Sequence, residues 1–147
     1  SGVDVLADHG EMEVCIVAVG SFAPLGLEVA QGLKAQGIGV RVLDPRWVKP
    51  IPQYVIQQAA QAKLVVVIED GIRSGGVGAA LSQALRDQNV DVPLRNFGTP
   101  LAFLDHAKRV SILNQLGLTG QSITRSITEW MVGNSESEAP DPVRQER

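Results

Sequence analysis

The 147-residue chain has one cysteine, two histidines and no apolar run near the roughly twenty residues that a membrane span requires. A single thiol rules out an internal disulfide framework and fits a reducing compartment, here the cytoplasm. That thiol, Cys15, lies within Val14-Cys15-Ile16-Val17-Ala18-Val19. Desolvation there disfavours the thiolate, so Cys15 reads as core packing and not as a nucleophile. Neither histidine has a second His, Cys or acid at metal-ligand spacing. His9 reads as a solvated turn residue, and His106, next to Asp105, as part of a helix start. Charge of one sign is also scarce: 13 basic against 16 acidic residues leave a net charge of −3, with no general pull toward nucleic acid. No secretory signal precedes the first strand, and no internal repeat is visible. Ser21 follows a strand but lacks the G-x-S-x-G elbow of a hydrolase. Nothing in the chain forms a self-contained catalytic apparatus.

What remains is ordinary for a soluble globular domain: 44% hydrophobic and 20% charged residues, in a length that suits one core. The chain opens on Ser1-Gly2 rather than Met, which reads as a processed protein or a piece of a longer one. Strand-like and helix-like patterns alternate along it. Val14–Val19 is a continuous apolar run of the kind covered on both faces. Pro24 then suits a first helical turn, and Leu25, Val29 and Leu33 recur at four-residue spacing. Val40–Leu43 reads as a strand, Gln53–Ala62 as a short helix and Leu64–Ile68 as a further strand. Val77, Ala80, Leu81 and Ala84 follow the rule for an amphipathic helix, and Leu94–Phe97 is a last strand. Asp105 is placed to cap a helix carrying Val110 and Leu113, ended by Gly117. Thr119 is placed to cap another, in which Ile123, Ile127, Trp130 and Met131 share a face.

This alternation predicts an α/β fold: a parallel sheet with helices on both faces, joined by right-handed crossovers. Val3–Leu6 is a further candidate strand, and the acids around it (Asp4, Asp8, Glu11, Glu13) suit a sheet edge. Residues 1–133 form the expected domain. From Asn134 to Arg147, Ser, Glu, Pro and Arg dominate without an apolar face, which predicts a disordered tail.

Two constellations stand at strand ends. Leu43-Asp44-Pro45-Arg46-Trp47-Val48-Lys49-Pro50 closes one strand with an acid and a Pro-punctuated basic turn. Leu64–Ile68 ends in Glu69-Asp70 and feeds Gly71-Ile72-Arg73-Ser74-Gly75-Gly76-Val77-Gly78. A glycine loop between strand and helix is placed for anion binding, since helix N-terminal amides point outward there. Yet no Lys-Ser/Thr follows it, and Leu81 stands where a dinucleotide fingerprint needs its third glycine. The plainer reading is a tight turn with close helix–sheet packing. Arg46 and Lys49 can hold a phosphate or carboxylate, pair with Glu69 and Asp70, or flank Trp47 in a domain contact, where Trp and Arg are enriched. The candidate interface or anion-binding edge is therefore Arg46, Trp47, Lys49, Glu69, Asp70, Arg73, Gly75, Gly76 and Gly78. An independent anion- or nucleotide-binding module using Gly75, Gly76 and Gly78 is the competing reading.

The pair of strand ends, one followed by D-x-R-x-x-K-P and one by E-D-x(4)-G-G-x-G, resembles the C-terminal domain of transketolase-like, thiamine-diphosphate-dependent enzymes. Trp47-Val48-Lys49-Pro50, Asn96-Phe97-Gly98-Thr99-Pro100 and Phe103-Leu104-Asp105-His106-Ala107 look most like the 1-deoxy-D-xylulose 5-phosphate synthases of actinobacterial type. One departure is visible: where that family often has K-P-x-D, this chain has Lys49-Pro50-Ile51-Pro52-Gln53, without the capping acid. The resemblance implies a three-layer α/β/α domain whose five-stranded, mostly parallel sheet has the order 1-3-2-4-5 with strand 1 antiparallel. It also implies a full-length homodimeric enzyme with thiamine diphosphate and Mg2+ held by the upstream domains. No catalytic, cofactor or metal residue is carried onto this chain, which would be inactive alone and serve assembly and stability. The C-terminal domain of a transketolase or of a 2-oxo acid dehydrogenase β-subunit is the alternative within the family. No nucleic acid or membrane partner is expected.

Overall fold

The computed structural model describes residues 2–70, 76–99, 105–116 and 119–138. Along the chain run β1 (Val3–His9), β2 (Val14–Ala18), α1 (Ala23–Ala35), β3 (Val40–Pro45), α2 (Gln53–Gln61) and β4 (Leu64–Asp70). After these come α3 (Val77–Asp87), β5 (Leu94–Thr99), α4 (His106–Leu116) and α5 (Gly120–Glu138). The five strands make one sheet in the order β1-β3-β2-β4-β5. β1 runs antiparallel to β3, and the other three pairings are parallel. This is the order and the one reversed strand that the resemblance implied.

The period-two alternation of a strand divides the core into two layers. In β2, Val14, Ile16 and Ala18 face the side covered by α1 and α5, where Val29, Leu33, Ile123 and Ile127 pack on them. Cys15 and Val17 face the other side, with Val55, Ile56 and Ala59 of α2 and Leu81 and Leu85 of α3. All five β2 residues are fully buried, as are Leu64 to Ile68 of β4. Burial on both faces is why these two strands read as unbroken apolar runs. Each such aliphatic side chain stabilises the fold by about 1.5–3 kcal/mol.

Local chemistry fixes the helix ends. The Oδ1 of Asp105 accepts the Lys108 N–H at 2.9 Å and caps α4. Thr119 Oγ1 accepts the Ser122 N–H at 3.1 Å while Ser122 Oγ accepts the Thr119 N–H at 2.9 Å, a reciprocal capping box for α5. α2 starts after Pro52 with no side-chain cap, in keeping with the missing acid of the K-P-x-D pattern. Gly117 lies outside the described residues. Two boundaries differ from the sequence reading. β1 continues to His9, so that histidine ends a strand instead of sitting in a turn. α5 continues to Glu138, five residues past 133, with Trp130, Met131 and Asn134 bordering a hollow beside Lys63 and Pro93. Residues 139–147 lie outside the described residues.

Candidate functional site at the carboxyl edge of the sheet

Because β3 and β4 both run parallel to β2 and flank it, the turn after β3 and the end of β4 lie at the same edge. Two strand spacings, roughly 10 Å, separate them. Being antiparallel, β1 begins at this edge too. The edge brings together Arg46, Trp47, Lys49, Glu69, Gly76 and Gly78. Asp70 is the last residue of β4, paired with Thr99, and its side chain lies outside the described residues. Arg73 and Gly75 lie outside them altogether.

The side chains at this edge form two separate groups. In the first, Glu69 is turned inward and is only 5% exposed. Its Oε2 accepts the backbone N–H of Gly78 in the first turn of α3, and also the Asn96 side-chain amide at 3.0 Å. A carboxylate hydrogen-bonded to a helix N-terminus complements the positive end of the helix dipole and occupies the place where an anion would sit. Gly78 leaves room for this: a Cβ there would meet the Asn96 amide and Glu69 Oε2, and those groups would have to shift. Gly76, extended and without a side chain, is the N-cap residue of α3.

In the second group the turn after β3 is tied to the start of β1. The Arg46 N–H donates to the Gly2 carbonyl at 2.8 Å, and Arg46 Nη2 pairs with Asp4 at 3.1 Å, both side chains at least half exposed. Gly2 has φ +71°, and its Cα lies so close under the Trp47 indole that no Cβ would fit. Trp47 nevertheless stays 49% exposed. Lys49 is exposed, with no ion pair among the described residues. Between the two groups, Asp44 accepts the Gly20 N–H at 3.4 Å and holds the turn after β2.

The pairing of Arg46 and Lys49 with Glu69 read from the sequence is therefore not what forms. Arg46 pairs with Asp4, and Glu69 with Gly78 and Asn96. Asp4, Gly2 and Asn96 were not singled out for this edge. Asp4 lies 42 residues from Arg46, and only the reversed direction of β1 brings it there. Asn96 stood inside the quoted Asn96-Phe97-Gly98 motif, the one signal that pointed to it. Elsewhere, burial pushes the Cys15 thiol up from 9.0 to about 12 against the opposing charge of Arg41, which disfavours its thiolate. Among the described residues no group of three or more His, Cys, Asp or Glu is placed to hold a metal ion. Nor is any helix there long and apolar enough to cross a membrane.

The family model for the C-terminal domain of transketolase matches residues 4–123. Among curated relatives, the 1-deoxy-D-xylulose-5-phosphate synthase of Saccharopolyspora erythraea is 54% identical over 135 residues, 90% of this chain and 21% of the relative. That of Streptomyces griseus is 46% identical over 148 residues, 97% of this chain and 23% of the relative. The chain thus spans about a fifth of the length of the curated relatives it matches. Among solved structures, a split-gene transketolase in an inactive beta4 tetramer superposes with a TM-score of 0.68 at 28% identity, over 86% of this chain and 41% of that one. A transketolase from Campylobacter jejuni shares the fold, with a TM-score of 0.55 at 15% identity over 87% of this chain and 18% of that one. With the strand order, the two strand-end motifs and the family match agreeing, the chain belongs to the transketolase C-terminal domain family.

Proposed function

We propose that this chain is the third, C-terminal domain of a 1-deoxy-D-xylulose 5-phosphate synthase and serves its assembly and stability rather than its chemistry. The full enzyme would join pyruvate to glyceraldehyde 3-phosphate with loss of CO2, supplying isoprenoid precursors in the cytoplasm. Thiamine diphosphate with Mg2+ supplies the carbanion chemistry there, on residues outside this chain. The observation that carries the non-catalytic role is Glu69. Its carboxylate accepts the Gly78 amide in the first turn of α3, so this helix start meets a diphosphate with negative charge. The residues described here thus do not fit the cofactor, and the same carboxylate disfavours the nucleotide-module reading. The other half of the edge, with Trp47 half exposed beside Arg46 and Lys49, suits contact between domains or subunits. A homodimer of the full enzyme fits this role.

Replacing Trp47 in the full-length enzyme tests the assignment. Trp47→Ala is expected to weaken assembly or lower the melting temperature while the Michaelis constants stay nearly unchanged. The opposite result would be Arg46→Ala or Gly76→Ala raising the apparent constant for the phosphorylated substrate tenfold, with oligomer and melting temperature intact. Tenfold is about 1.4 kcal/mol of binding, and the edge would then be a ligand site. Thiamine-diphosphate-dependent turnover by the 147-residue chain alone would overturn the non-catalytic role outright.

A further inference from the structure

We draw no further inference here: the strongest candidate, the surface patch of α4 around the exposed Lys108 and Val110, is a helix face that nothing among the described residues covers or shows to be covered by a partner of any stated chemistry.

Discussion

The two halves of the carboxyl edge handle the same problem, polar groups at strand ends, in opposite ways. On the α3 side the strand's acid turns inward, and Glu69 is spent on Gly78 and Asn96. On the β1 side the turn's charge stays outside, Arg46 and Asp4 meet in water, and the indole lies half uncovered. Buried, charge-assisted hydrogen bonds contribute far more to stability than an exposed ion pair. The closed half should therefore hold the fold, and the open half should matter chiefly to what docks on it.

The largest effect concerns the sheet beneath both halves, where Cys15 lies between Arg41 of β3 and Val65 of β4. Cys15 is fully buried and burial also holds its thiol protonated, so alkylation at pH 8 requires opening of the sheet and should be at least about a hundredfold slower for the folded chain than for the unfolded one. Stability drawn from the neutral thiol is intact below pH 9 and lost as pH rises toward about 12. Glu69→Ala should speed this alkylation and Trp47→Ala should not, which would break the comparison if reversed.

Next comes Glu69→Ala itself, which strips the cap from α3. A loss of about 3 kcal/mol, read by urea denaturation, is expected, with Glu69→Gln losing less because the amide oxygen still accepts. Gly78→Ala attacks the same half sterically and should lose about 1–3 kcal/mol. On the open half, Trp47→Ala in the 147-residue chain should lose about 1 kcal/mol or less for a side chain already half in water, against a larger loss in the full-length enzyme. Smallest is Arg46→Ala, at about 0–1 kcal/mol and vanishing in molar salt. Equal losses from Glu69→Ala and Arg46→Ala would show that the two halves do not differ.

The layers of the fold were legible because they depend on near neighbours in sequence. The uninterrupted runs Val14–Ala18 and Leu64–Ile68 are of the type expected of strands buried on both faces, and the caps at Asp105 and Thr119 act across three residues. Strand order was not legible from periodicity. It came with the family resemblance, since nothing local says that β3 lies between β1 and β2. The candidate edge was legible as a location, because strand ends carry acids and turns there. Its wiring was not. An acid closing a strand reads the same whether it faces solvent or caps the next helix, and Glu69 does the latter because Gly78 leaves room for it. Arg46 found Asp4 rather than Glu69 because β2 stands between β3 and β4, a separation that only the assembled sheet reveals.

The reversed direction of β1 also bears on how the protein can be handled. Since β1 starts where the parallel strands end, anything fused ahead of Gly2 stands beside the half-exposed Trp47. α5, in contrast, reaches Asn134 beside Lys63 and Pro93, which precede β4 and β5 at the opposite edge. An affinity handle or fluorescent reporter attached behind α5 leaves the Trp47 surface clear, whereas one attached ahead of β1 crowds it. The choice of terminus thus decides whether a pull-down reports on this surface or hides it.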